Sequence, residues 1–413
     1  MTSTSSWRTK TFTATTTDIH GLVLQTRANF VTADPTASVA TVTFRTDSDE
    51  LLNAIRIDEV DAGDSRAISI GFDRSLYRQR DLEAAYIVDI ALPPQALSYL
   101  EAVGNVVVGP RVLSNATSDS IQVLLTGSGD VYVDDSTIVA DRLQLTLQGS
   151  GDLQFAVPSL HANAVDVSVQ GSGDCALFST VLETKTLDVN VFGSGSVFAS
   201  GALSGNPSVT TDVDGSGDVK YTLSGDCSSH EIAASASGDA KTSSLACATT
   251  SARASGSGDI YASASTSFSA SADGSGDVYY VGPAVPTMSG KYHTKTLHSV
   301  DAKTPHALPQ HVPATIRISS HGNIYDESGV TWPASSVDND TLQFLGLVLA
   351  AIFIYFCIVR KCCRSKKRSA YDELPMVIVV PGAPNQAPYY QSVPQYAAPP
   401  QLVVPQDTTY GKV

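Results

Sequence analysis

The sequence predicts an all-β fold: a right-handed parallel β-helix (a solenoid) of about eight to ten coils, followed by one transmembrane α-helix and a disordered tail. Three observations predict it. The tetrapeptide Gly-Ser-Gly-Asp stands at residues 127–130, 149–152, 171–174, 215–218, 256–259 and 274–277, with variants at 193–196 and 236–239. Successive starts are 22, 22, 22, 22, 21, 20 and 18 residues apart, and a fixed period near 20 residues is the mark of stacked coils. The residues before each mark alternate apolar and polar, as in Leu143, Leu145, Leu147 and Val165, Val167, Val169, which is strand periodicity. Finally, residues 342–359 form an 18-residue run with no charge and one polar side chain, Gln343, long enough to span a bilayer.

The coil can be read station by station. Leu187, Val189 and Val191 continue the strand before the mark. A second short strand follows it, with inward positions at Val131 and Val133, Leu153 and Phe155, Val197 and Ala199, Val219 and Tyr221. A third apolar station recurs at Ile138, Leu160 and Leu182. Strands one coil apart run parallel, and parallel crossovers prefer the right hand. As the coils shorten, the inward residues shrink, to His230, Ile232, Ala234, then Thr250, Ala252, Ala254, then Phe268, Ala270, Ala272. A narrower coil has less interior to fill. At roughly 4.8 Å per coil, the rod is on the order of 40 Å long.

The corner is read as a structural turn. Glycine supplies φ > 0 at a tight bend, and Asp bonds neighbouring backbone N–H groups in an Asx-type turn. Stacking puts Asp130, Asp152, Asp174, Asp218, Asp239, Asp259 and Asp277 in one ladder, which Ser196 interrupts. An acidic oxygen row is also the kind of array that takes Ca²⁺. The nine-residue period of calcium-binding β-rolls does not match, so no metal or cofactor is assigned.

These residues resemble the family of putative auto-transporter adhesins, head GIN domain. The resemblance rests on the repeated Gly-Ser-Gly-Asp followed by Val-x-Val, here Val131 and Val133. It also rests on an opening strand at 19–23, on Glu50-Leu51-Leu52 with Ile68-Ser69-Ile70, and on residues 86–93 and 97–108, with Gly104-Asn105 in place of Gly-Asp. It covers roughly residues 17–281 and implies a β-helical, surface-associated domain. It supplies no reaction. No segment reads as the β-barrel translocator of an auto-transporter; a single helical span stands there instead.

The chain then divides into a Ser/Thr-rich start (1–16), an N-terminal β segment leading into the solenoid (17–104) and the repeats (105–281). A Pro/His-rich loop with a degenerate last coil or cap follows (282–327), then a stalk (328–341), the span (342–359) and a basic, then Pro/Tyr/Gln-rich tail (360–413). Ile316, Ile318 and His321-Gly322-Asn323-Ile324-Tyr325 carry the last-coil reading. Arg360, Lys361, Arg364, Lys366, Lys367 and Arg368 follow the span, which places the tail in the cytoplasm and the β-helix outside. Residues 1–10 carry no apolar leader, so an upstream signal peptide is expected. The formal net charge of −15 argues against nucleic-acid binding.

Cys227 and Cys247 lie at offsets 12 and 11 from their marks and stack on adjacent coils, either as a disulfide or as two buried thiols. Cys175 sits at an inward position. Cys362 and Cys363, beside the basic cluster, are candidates for S-palmitoylation. Asn115 heads an Asn-x-Thr sequon on a loop of the first coil, a candidate for N-glycosylation. Tyr371 and Leu374 make a Tyr-x-x-apolar sorting pattern for a cytoplasmic adaptor. His293, His298, His306 and His311 lack ligand spacing and read as solvated. The expected function is an adhesin-like binding or display scaffold at the plasma membrane or another secretory-pathway membrane, without catalysis, facing a protein or glycan ligand. One alternative is a polysaccharide-acting β-helix enzyme, for which Asp166, Asp188, Asp212 and Arg142 on one outward face are the candidates. The other is an inert coat protein.

Overall fold

The computed structural model describes residues 7–62, 65–73, 76, 82–296, 300, 302–318 and 324–326. Their architecture is a β-solenoid of about nine turns with almost no helix. The exception is Asp49–Ala54, capped by Ser48, whose Oγ accepts from the Leu51 N–H. Three stacks of parallel strands wall the solenoid. A leading sheet runs through the strands before each corner: Ser120–Leu125, then the second halves of Thr137–Leu147 and Ser159–Val169, then Thr186–Val191, Ser208–Val213 and Ser229–Ala234. A trailing sheet runs through the strands after it, beginning Val106–Val108, Val131–Asp134 and Leu153–Ala156. A third, shorter stack pairs Ile138 with Leu160 and Leu160 with Leu182, then Leu182 with Leu203.

Register is set by the alternation. Ile121, Leu143, Val165, Leu187, Val209, His230, Thr250 and Phe268 form one inward column of the leading sheet. A one-residue slip would turn every one of these side chains outward. Nearly all are fully buried, and the taper appears as Ala252, Ala254, Ala262 and Ala272 in the later coils. The taper is then refilled near its end by Phe268 and Tyr280, whose rings lie 4.8 Å apart.

Two features depart from the sequence reading. The N-terminal segment does not merely lead into the solenoid but supplies rungs of it. Ile19–Leu24 lies parallel to Tyr99–Ala102, with Leu22 opposite Leu100, and Asn29–Ala33 lies parallel to Val106–Val108. A further rung comes from Ser65–Phe72 and Leu82–Leu92, again parallel to those strands. Apolar strands that lack the corner motif can still stack wherever their inward faces match. Beyond this rung the pairing turns antiparallel, through Ile55–Ala62, Thr41–Thr46 and Arg8–Thr13, around Phe44, Phe72 and Tyr86. Antiparallel pairing of this kind closes an open sheet end.

The second departure concerns Ala314–Ile318, expected as part of a degenerate last coil or a cap. It adds no coil at the end of the repeats. It pairs antiparallel with residues 82–86 of Leu82–Leu92, at the opposite end of the solenoid, and Ile324–Asp326 pairs with it in turn. Leu82–Leu92 outruns its partner Asn29–Ala33 and leaves backbone N–H and C=O groups that a returning strand satisfies. The chain therefore runs back along the trailing sheet after its final rung, Thr287–Gly290 and His293–Lys295. Among the described residues no helix is long and apolar enough to cross a membrane. The apolar run 342–359, the stalk, and the tail with Cys362, Cys363, Tyr371 and Leu374 lie outside the described residues.

Candidate binding surface

The corner motif is an inter-coil ladder. The Asp152 N–H donates to Asp130 Oδ1 at 2.9 Å, the Asp174 N–H to Asp152 Oδ1 at 2.8 Å, and the Ser196 N–H to Asp174 Oδ1 at 2.9 Å. Ser196 does not break the row, because its Oγ accepts from the Asp218 N–H at 3.1 Å. The series continues through Asp239, Asp259 and Asp277 at 2.9–3.0 Å. It starts at Asn105, whose Oδ1 accepts from the Asp130 N–H. Each carboxylate from Asp130 to Asp259 thus bonds the next coil, not its own turn, with one oxygen committed to the backbone. Their outer oxygens meet neighbours two residues along: Tyr132 with Asp130, Lys220 with Asp218, Lys241 with Asp239, Tyr261 with Asp259.

The glycines serve close approach, not φ > 0. None of the corner glycines has a positive φ; the positive-φ glycines are Gly201, Gly205, Gly225, Gly282 and Gly290. A Cβ on Gly173 would instead overlap the Gly151 carbonyl oxygen, as one on Gly151 would overlap that of Gly129. The second corner position is glycine in every coil from Gly104 to Gly276, whereas the first accepts Ala236. Stacking the coil backbones in contact leaves no room for a side chain there.

Of the carboxylates proposed for catalysis, Asp166 lies beside Asp188 in register, and Asp212 falls in the next outward column, beside Asn190. Arg142 holds Asp166 with two bonds, Nε to Oδ2 at 2.5 Å and Nη2 to Oδ1 at 3.0 Å. The Asp212 carboxyl is pushed up by partial burial, then by Asp214, Glu231 and Asp188. Elsewhere Asp135 accepts from the Arg111 N–H and Asp141 from Asn163 Nδ2. Among the described residues no group of three or more His, Cys, Asp and Glu is placed to hold a metal ion.

Cys227 and Cys247 form a disulfide, with Cα atoms 4.4 Å apart on adjacent coils. Cys175 is buried, and burial pushes its thiol up to about 12, so it packs as a small apolar group. Asn115 is half-buried, and its Oδ1 accepts from the Val139 N–H at 2.7 Å, which leaves only the amide nitrogen for modification. His293 lies 3.4 Å from Asp277 and His311 2.5 Å from Asp89; His298 lies outside the described residues.

Two groups escaped sequence reasoning. Inside the rod, Thr211 Oγ1 bonds both Tyr221 OH at 2.9 Å and His230 Nε2 at 3.0 Å. Burial holds His230 down to about 3, hence neutral. Its inward position was visible in the alternation, but its partners were not. The second group is the outward column of the trailing sheet. In register this column reads Asp89, Phe30, Val107, Tyr132, Gln154, Ala176, Phe198, Lys220, Lys241, Tyr261, Tyr279 and His293. Lys295 lies 4.5 Å from the Tyr261 ring centroid and 3.9 Å from that of Tyr279, a cation–π arrangement. The returning chain crosses the other end of the column.

The protein is thus a parallel β-solenoid whose repeat motif welds coil to coil and whose outer columns carry the chemistry left over. The model of the family described as putative auto-transporter adhesin, head GIN domain, matches residues 100–207 and 205–284, the coil region of this chain. Among solved structures, a putative adhesin from Parabacteroides distasonis ATCC 8503 is 17% identical, with 70% of this chain and 96% of that one covered and a TM-score of 0.36. A putative lipid binding protein from the same organism is 15% identical, covers 69% and 95%, and has a TM-score of 0.38. A putative adhesin from Parabacteroides merdae ATCC 43184 is 16% identical, covers 70% and 96%, and has a TM-score of 0.32. No curated protein matches the chain.

Proposed function

We propose that the protein is an adhesin-like scaffold at the cell surface, anchored by residues 342–359, whose solenoid presents its outer faces to a protein or glycan ligand without catalysing a reaction. The observation that carries this reading is the use made of the repeat: its Asp oxygens and glycines build the inter-coil ladder. A motif committed to a rigid rod leaves function to the solvent-facing columns, which rigid elements hold at fixed spacing. The family description of the coil region supports the same class. The basic residues after 359 support an external solenoid and a cytoplasmic tail, where Cys362 and Cys363 would be acylated and Tyr371 and Leu374 would meet a sorting adaptor.

The test uses the full chain in cultured cells. Protease added outside should remove the solenoid and spare an epitope placed after residue 413. Beads coated with extracellular protein or glycan fractions should bind these cells, and deletion of residues 120–281 should abolish binding. Protection of the solenoid from external protease, or capture unchanged by the deletion, would overturn the proposal. Release of reducing ends from uronan or glucan polymers would favour an enzyme instead.

A further inference from the structure

The returning segment lies on the trailing column as a bound peptide lies in a groove. Lys303 places its ammonium 4.4 Å from the Phe198 ring centroid and 3.2 Å from Asp174 Oδ2. Three residues on, the Gln154 side chain takes both backbone groups of His306: Nε2 donates to its carbonyl at 2.9 Å, and Oε1 accepts from its N–H at 2.7 Å. His311 then tilts against Phe30, rings 4.3 Å apart.

A side-chain amide that satisfies the N–H and C=O of one residue reads extended backbone whatever side chain that residue carries. The flanking contacts supply the selection: an acid beside an aromatic ring for a lysine, and an apolar floor for proline. Around the last anchor the segment borders a cavity of about 220 Å³, lined by Phe30, Val107 and Tyr132 of the column and by Pro309, Val312 and Pro313 of the segment. The segment fits its bed loosely. Leu308 is 37% exposed and Val312 53%, whereas Gln154, in the floor, is only 7% exposed. Proline-containing segments bind aromatic-lined grooves at low entropic cost, being already extended.

We infer that this column is a groove for an extended peptide, occupied in cis by residues 302–313, and that its partner in trans is a proline-containing peptide with a lysine three residues before the one whose backbone Gln154 reads. The inference rests on the proposed function and names the partner class. The chain's own segment is then an autoinhibitory cover that such a partner displaces.

The test measures fluorescence anisotropy of a labelled peptide of residues 300–313 against the full chain in detergent. The segment is loosened by Lys303→Glu with His306→Pro, which opposes Asp174 and removes the N–H that Gln154 accepts. The loosened chain should bind the peptide at least tenfold more tightly than the unaltered chain, and adding Gln154→Ala should cancel that gain. A loosened chain with unchanged circular dichroism that does not bind, or binding indifferent to Gln154→Ala, overturns the inference. Should the double substitution unfold the chain, Gln154→Cys serves instead. A peptide with cysteine in place of His306, activated as its thionitrobenzoate disulfide, should then exchange onto the thiol at position 154, releasing thionitrobenzoate, at least tenfold faster than one with the activated cysteine in place of Ala302, and equal rates overturn the inference. Cell capture of coated beads that persists in Gln154→Ala, with no peptide binding, removes this groove but leaves the adhesive reading standing.

Discussion

Acidification should remove stability from this rod at one interior side chain, His230. It is 2% exposed, stacked in register between Val209 and Thr250, with Nε2 on Thr211 and no partner for Nδ1. Burial lowers its pKa from 6.5 to about 3. The unfolded chain therefore takes up a proton near 6.5, while the folded chain resists one until near 3. The sign follows: the contribution is intact above 6.5 and is lost as the pH falls from there toward 3, because protons favour the unfolded state throughout that window. Each pH unit costs about 1.4 kcal/mol, so the loss is about 2 kcal/mol by pH 5 and about 5 kcal/mol once the window is crossed. Leucine suits the site, since Leu187 occupies the same column two coils earlier. Urea unfolding of the unaltered chain and of His230→Leu, at pH 7 and pH 5, isolates the effect because the other titrating groups are common to both. The variant should gain about 2 kcal/mol relative to the parent on going to pH 5. Parallel pH dependences would refute the neutral, buried imidazole.

Four further outcomes concern the corner ladder, a positive-φ glycine and the disulfide. Gly173→Ala drives a Cβ into the Gly151 carbonyl and should cost about 3 kcal/mol or prevent folding, read by thermal melting. Gly282→Ala, at an uncrowded position with φ near +125°, should cost about 1–3 kcal/mol through backbone strain alone. Asp152→Asn keeps an acceptor for the Asp174 N–H and should be near neutral, whereas Asp152→Ala removes it and should cost about 1 kcal/mol; equal losses in a denaturant titration would count against the ladder. Reduction of Cys227–Cys247, which are 20 residues apart, should lower stability by about 3 kcal/mol, while Cys175→Ala leaves the reduction effect unchanged.

Much of the solenoid was legible because its physics repeats. The period of the corner motif and the alternation before it were enough to set the coil, the register and the stacking of Cys227 on Cys247, since a fixed offset on a periodic object is a spatial coordinate; that the two are bonded is shown by the structure. The role of the corner was not legible. Gly-Ser-Gly-Asp reads locally as a turn with φ > 0, and the same residues would serve either purpose. Only the proximity of the next coil shows that Gly173 faces a carbonyl and that Asp152 reaches the Asp174 N–H. Ser196 looked like a gap for the same reason, although a hydroxyl accepts the Asp218 N–H as a carboxylate does.

From its sequence alone the chain declared itself a stack of parallel coils with an aliphatic interior that narrows toward alanine, because periodic burial is a property of local pattern. Three things were decided only by tertiary structure: that Ile19–Leu24 and Asn29–Ala33 join the stack out of chain order, that Ala314–Ile318 returns to the far end, and that Gln154 meets His306 across 152 residues. None of these contacts has a local signature. Each depends on which edge or face is left unsatisfied once the coils have formed, and that is known only when the whole rod exists.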